Sequence, residues 1–182
     1  MAELLTERLL LRRWRPADLE PFAAMNADPE VMRYFPSTLT REQSKELVER
    51  IEQGFEENGF GWWAAEVRAS GAFIGCVGLW WLTFAAPFTP AVEIGWRLAR
   101  PAWGHGFATE AARAALAYGF DQAGLTEIVS VTAVLNTPSR RVMERLGMAR
   151  DPAEDFDHPR VPAGHELQRH VLYRKRRQGE SS

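Results

Sequence analysis

The chain has 182 residues, 46% of them apolar and 25% charged, which is the balance of a globular domain able to bury a core. Its net charge of −2 gives no general attraction for nucleic acid, and no apolar run is long enough to cross a bilayer. Acidic residues stand near the start, where a secretory leader would be basic, and the single cysteine, Cys76, excludes an internal disulfide; a cytoplasmic protein is expected.

In chain order, Leu9 to Trp14 reads as a strand, and Pro16-Ala17-Asp18 opens a helix. A second short helix is expected after Asp28-Pro29. Thr40 has the chemistry of an N-cap for an amphipathic helix that places Leu47, Val48, Ile51 and Phe55 on one face and stops at Asn58-Gly59. Strand-like runs follow at Phe60–Val67, Ala72–Leu82 and Val92–Ala99, the first two joined by the turn signal Ser70-Gly71. Phe84 to Pro90 is a loop. Phe107 to Gln122 is alanine-rich with helical spacing. Glu127–Leu135 is β-branched, Pro138–Leu146 is helical up to Gly147, and His165–Arg174 closes the pattern as a strand. The basic run Arg174 to Arg177 reads as a solvated tail. The order implies a mixed α/β domain over residues 1–176, with 177–182 as a tail.

The chemistry concentrates first in Arg100-Pro101-Ala102-Trp103-Gly104-His105-Gly106-Phe107-Ala108-Thr109-Glu110. Gly104 and Gly106 permit backbone conformations closed to other residues, and the turn runs straight into a helix N-terminus with unpaired N–H groups. Strand, glycine turn and helix start together form an anion cradle, to which His105 offers a side chain. An ordinary strand-to-helix turn is the alternative. The turn lacks the Gly-Lys-Ser/Thr ending of a nucleoside-triphosphate loop and the third glycine of a dinucleotide fingerprint.

Trp103 through Ala111 resembles the pyrophosphate-binding turn of the GNAT superfamily of N-acetyltransferases, in the branch similar to ribosomal-protein N-terminal acetyltransferases. That resemblance implies a mainly antiparallel sheet of about seven strands flanked by helices, with a splayed, bulged strand at the coenzyme A site. It also implies an enzyme moving an acetyl group from acetyl-CoA, as co-substrate, to a primary amine. Trp103, Gly104, His105, Gly106, Phe107, Ala108 and Thr109 then belong to the coenzyme A site.

Glu93-Ile94-Gly95-Trp96-Arg97-Leu98 precedes the turn, and a glycine inside a strand signals a bulge or a close backbone approach. A bulge there would free N–H and C=O groups for an extended, amide-bearing ligand. By resemblance, backbone near Trp96 and Leu98 holds the pantetheine arm. A buried strand with a packing glycine is the alternative.

Asn136-Thr137-Pro138-Ser139, followed by a helix and Leu146-Gly147-Met148, is similar to the superfamily's second signature. Asn136 is implied as a pantetheine contact; by its own chemistry it is equally a helix cap. Met143 occupies the place where many relatives carry an acidic tyrosine, so Ser139 is the replacement donor to the departing thiolate. Glu93, a carboxylate inside an apolar strand, is the candidate base; a cross-strand ion pair or a partner that steadies a loop is its alternative. His158, His165 and His170 lack zinc spacing, so no metal is expected. His158, the Trp62/Trp63 and Trp80/Trp81 pairs and the Phe84–Pro90 loop are candidates for the acceptor pocket. The acceptor is a protein N-terminus or a small amine, the assembly a monomer or homodimer. A coenzyme A-binding regulatory module without catalysis, or a transferase for a larger donor such as succinyl-CoA, are the competing readings.

Overall fold

Helix α2, Arg41–Asn58, forms where its local signals put it. The Thr40 hydroxyl accepts from the Gln43 N–H at 3.1 Å, and the Gln43 side chain accepts from the Thr40 N–H at 2.8 Å. Gly59 ends the helix in the left-handed region with φ 77°. The computed structural model describes residues 3–177.

The strands are β1 (Leu4–Leu5), β2 (Leu9–Arg12), β3 (Trp62–Val67), β4 (Ala72–Leu82), β5 (Ala91–Leu98), β6 (Glu127–Ala133), β7 (Ala149–Arg150), β8 (Phe156–Asp157) and β9 (Arg169–Arg176). The other helices are α1 (Leu19–Ala27), α3 (Phe107–Asp121) and α4 (Thr137–Arg145). One sheet runs in the order β1-β2-β3-β4-β5-β6-β9-β7, with β8 also paired to β9. It has nine strands where about seven were expected, because β1, β7 and β8 are two-residue strands too short to carry periodicity. All pairings are antiparallel except β5 with β6. Val48 of α2 packs with Cys76 and α1 on one face, while Gly119 of α3 sits against Leu79 and Ile128 on the other.

Three expectations change. Residues 29–35 form turns, not a helix, because Val31 and Met32 turn inward to join Phe22, Met25 and Val48. The closing strand begins at Arg169, since His165 and Gln168 are used in turns: the His165 ring accepts from the Leu167 N–H, and the Gln168 side chain accepts from the Gly164 N–H. The basic run is not a solvated tail up to Arg176. Arg174 pairs with Glu127 and Glu154, Arg176 with Glu127, and Lys175 Nζ donates to the Leu146 carbonyl at 2.6 Å. Residues 178–182 of the expected tail lie outside the described residues.

The splay of β5 is present, but its origin differs from the expected bulge. The β4–β5 register is unbroken from Gly75/Leu98 to Leu82/Ala91. The sheet's register shift lies between β3 and β4, near Gly75 with φ 134°. On its other edge β5 meets β6 at one register pair, Glu93 with Val129, and the strands then part. Gly95 serves packing: a methyl group there would lie 2.7 Å from Cζ2 of Trp62, whose ring lies on the strand.

Arg12 fastens the sheet's entry. Its Nη1 and Nη2 donate to the two Asp18 oxygens at 2.7 and 2.9 Å, and its Nε to Glu66 at 2.7 Å. Removing Asp18 leaves the buried Arg12 with Glu66 alone and both Nη–carboxylate hydrogen bonds lost, so Asp18→Ala is expected to cost about 3 kcal/mol in urea unfolding. A loss below about 1 kcal/mol would mean that the pair behaves as a surface contact.

Candidate active site

A cleft of about 800 Å³ passes through the sheet where β5 and β6 part. Its lining includes Glu93, Gly95 and Arg97 from one face of β5, and Trp96, Leu98, Ser139 and Met143 from the opposite side. The hydrogen bond from the Ala99 N–H to the Ile74 carbonyl fixes the alternation along β4 and β5. It turns the backbone groups of Ile94, Trp96 and Leu98 toward the side that β6 has left. Two of the freed carbonyls are covered by side chains: Ser130 Oγ donates to Ile94 O at 2.9 Å, and Trp103 Nε1 to Leu98 O at 2.8 Å. What stays available to a ligand is the Trp96 and Leu98 N–H groups and the Trp96 carbonyl, two donors to one acceptor.

The glycine turn leads into α3 with Gly104 and Gly106 at φ 77° and 80°. No side chain caps this helix, and the first N–H bonded back is that of Glu110, to Gly106 O at 3.0 Å. The N–H groups of Phe107, Ala108 and Thr109 therefore have no partner among the described residues, the condition for holding an anion. Phe107 and Ala108 side chains pack toward the core, so backbone is what they offer. The His105 ring tilts against Phe107 at 5.6 Å and does not line the cleft. The sequence missed the cations around this turn. Arg141 and Arg145, one turn apart on α4, line the cleft, and Arg8 and Arg113 line an adjoining hollow beside Gly106 and Thr109. The i, i+4 spacing of Arg141 and Arg145 was the available signal. Glu110 holds Arg8 there, through a 2.6 Å ion pair.

Asn136 has both ends of its amide engaged. Its Oδ1 accepts from the Ser139 N–H at 3.3 Å, capping α4, which directs Nδ2 to Thr132 Oγ1 at 2.9 Å and Ser139 Oγ at 3.1 Å. Ser139 Oγ also accepts from Trp96 Nε1 at 3.3 Å. Two incoming donors occupy the hydroxyl's acceptor sites, so its own proton is left to be donated. Met143 is 1% exposed and belongs to the core.

Glu93 stands at the fork. Burial pushes its carboxyl up to about 7, against the lowering effect of the Val131 N–H, which donates to it at 3.3 Å. The structural ion pair considered for it is absent among the described residues. Trp62 lines the cleft while Trp63 is buried against Phe55 and Tyr118; Trp80, Trp81 and Phe84 also line it. Phe88 instead packs on Phe84 and Phe156. His158 and His170 line the cleft with rings 4.8 Å apart, His158 pushed down to about 4 and His170 also lowered, both chiefly by burial. In both, burial favours the neutral ring. No group of three His, Cys, Asp or Glu side chains set to hold a metal occurs among the described residues, and no helix there is long and apolar enough to cross a membrane.

A family model described as an acetyltransferase (GNAT) domain matches residues 8–149. The chain belongs to the GNAT acetyltransferase family. It is similar to the uncharacterized protein YkkB of Bacillus subtilis, 34% identical over 150 residues, covering 80% of this chain and 84% of YkkB. A GNAT-family acetyltransferase from Bacillus anthracis has the same fold, with a TM-score of 0.77, 27% identity, and coverage of 96% and 98% of the two chains. RimL, a ribosomal L7/L12 alpha-N-protein acetyltransferase solved in complex with coenzyme A, shares the fold at 14% identity, with a TM-score of 0.76 and coverage of 96% and 98%. This GNAT protein is thus an acetyltransferase whose freed β5 backbone and uncapped α3 fit a ligand that is both amide-bearing and anionic.

If the uncapped turn is the anion site, Gly106→Val should weaken coenzyme A binding at least tenfold in calorimetry. Forcing a β-branched residue to positive φ should also cost about 1–3 kcal/mol of stability. Unchanged affinity in the folded variant would remove the turn from the site.

Proposed function

We propose that this protein transfers an acetyl group from acetyl-CoA directly to a primary amine inside the through-sheet cleft. The pyrophosphate rests on the N–H groups of the Gly104–Thr109 turn, with Arg141 and Arg145 as counter-charges, and the pantetheine arm runs along Trp96 and Leu98. The acceptor enters from the Glu93 face, between Trp62, Trp80 and His158. The bound RimL complex supports coenzyme A as the ligand of this fold.

The observation that carries the reading is the donor geometry at Ser139. As the amine nitrogen bonds to the acyl carbon, the carbon–sulfur bond breaks and the thiolate needs a proton. The acylated nitrogen sheds its second proton to solvent, and Ser139, held by the donors Trp96 and Asn136, hydrogen-bonds the sulfur while a proton reaches it through water, so that no serine alkoxide is formed. Asn136 acts here as a positioning residue, holding Ser139 through the α4 cap. Glu93 takes the proton that the ammonium form must lose. The N–H of Trp96 faces the side where the thioester oxygen gains charge. No acyl-enzyme is needed, and Cys76 is unsuited to form one: it is fully buried and its thiol is pushed up to about 12.

Ser139→Ala should lower kcat by roughly ten- to a thousandfold with coenzyme A affinity unchanged, the signature of an interaction made in the transition state. An unaltered kcat would assign thiolate protonation to water without Ser139. For Glu93 the active form is the carboxylate, so kcat/KM should rise with pH and level off above about 7. Glu93→Gln should abolish that acidic limb and lower the plateau. A limb that follows the acceptor's own amine pKa in both proteins would make Glu93 structural.

A further inference from the structure

Arg97 poses a physical problem that the acyl-transfer reading does not use. It is the last residue but one of β5, on the same face as Glu93 and Gly95, and lines the cleft while only 8% exposed. Arg12 is buried to a similar degree, 3% exposed, and holds two carboxylates, Asp18 and Glu66. Arg97 has none. Its Nη1 donates to the neutral amide of Asn26 at 2.7 Å, and its Nε is buried with no partner. The ionisable group paired with it across β4 is Cys76, whose thiol is pushed up to about 12 and so supplies no negative charge. Burial pulls Arg97's own pKa down. A guanidinium nonetheless stays charged under ordinary conditions.

Aromatic faces offset part of the cost: Arg97 Cζ lies 4.4 Å from the Phe35 ring centroid and 5.9 Å from that of Trp62. They do not neutralise a buried cation. Arg33 and Arg160 also line the cleft and add positive charge; the acids lining it are the exposed Glu30 and the half-buried Glu93. A cation desolvated in a cleft, with spare donors and no counter-ion, is set to receive one from a ligand.

We propose that Arg97 is the specificity-determining residue of the acceptor end, and that the amine acceptor carries a carboxylate which Arg97 binds. Glu93 and Arg97 are four positions apart on one face, so their Cα atoms are about 13 Å apart, with Gly95 and the Trp62 ring that lies on it between them. An acceptor lying across that ring presents its amine toward Glu93 and its carboxylate toward Arg97. A free amino acid and a peptide beginning with an acidic residue share this chemistry. The inference rests on the assignment of the Glu93 face to the acceptor.

The test compares acceptors matched in shape, with rates referred to the unprotonated amine because the amide also lowers the amine pKa. Thiol release from acetyl-CoA is followed with alanine against alaninamide, and with Asp-initiated against Asn-initiated tripeptide amides. At least one carboxylate member should have kcat/KM tenfold to a hundredfold above its neutral partner, mostly through KM, and the pair that discriminates identifies the source. Arg97→Gln should erase the difference while the neutral acceptors are still turned over, and Arg97→Lys should keep part of it. Equal use of both members by the wild type, or a preference that survives Arg97→Gln, overturns the proposal. Calorimetry separates it from the chemistry. N-acetylalanine, but not N-acetylalaninamide, should bind the coenzyme A complex of the wild type, or the N-acetylated Asp tripeptide in preference to its Asn counterpart, and the selectivity should vanish in Arg97→Gln. Selective binding without turnover of any amine would sink the transferase reading and leave this one standing. Arg97→Gln should also leave the melting midpoint level or higher, because it removes an unpaired buried charge. A lowered midpoint with unchanged acceptor preference would make Arg97 a mere clamp on Asn26.

Discussion

Everything at the candidate site follows from β5 leaving β6 after one bridge at Glu93 and Val129. A strand inside a sheet ordinarily has its backbone groups paired on both edges, and leaving a row of them open beneath other elements is costly. The protein limits that cost selectively. Side chains of Ser130 and Trp103 satisfy the carbonyls of Ile94 and Leu98, so the exposed edge is biased toward donors. The parting also opens a passage from one face of the sheet to the other. Two reactants can then approach one point from opposite sides, and the fold supplies proximity before any side chain takes part.

Side-chain chemistry is tuned by what surrounds that passage. Its walls are largely indole and phenyl rings, and they desolvate whatever ionises between them. The same effect raises Glu93, lowers His158 and His170, and pulls on Arg97. The results differ because the charged form differs: an acid is driven toward its neutral form from below, a base from above. Around the glycine turn the walls give way to arginines and open helix amides, where an anion is welcome. The cleft is thus graded from a polar, cationic mouth to an aromatic interior.

Features set within a few residues were legible in the sequence. The Thr40–Gln43 cap, the Gly59 stop, the Ser70-Gly71 turn and the uncapped glycine entry to α3 all depend on neighbours along the chain. The parting of β5 was readable only as an irregularity at Gly95, and that glycine was misassigned to a bulge because the Trp62 ring that requires it comes from 33 positions upstream. The stretch after Pro29 has apolar residues at near-helical spacing, yet Val31 and Met32 gain more by turning into a separate cluster than by forming a helix. Ser139 was readable as a residue, but not as a directed donor. That property needs Trp96, which the sheet delivers from 43 positions away. Arg97 looked like one more charge in a strand until its lack of a carboxylate partner could be seen.

Glu110 does more than hold an arginine. It accepts from Thr6 Oγ1 at 2.6 Å and from the Arg8 N–H at 2.8 Å, while the guanidinium of Arg8 donates to the His105 carbonyl and lies 4.6 Å from the Phe107 ring centroid. The chain's opening residues are thereby stitched to the glycine turn from the far end of the sequence. Anything joined to the chain a few residues ahead of Thr6 is tethered close to that mouth. An affinity tag rich in histidine or acidic residues would change the local field there, so the position of a purification handle becomes a variable in any measurement of ligand affinity.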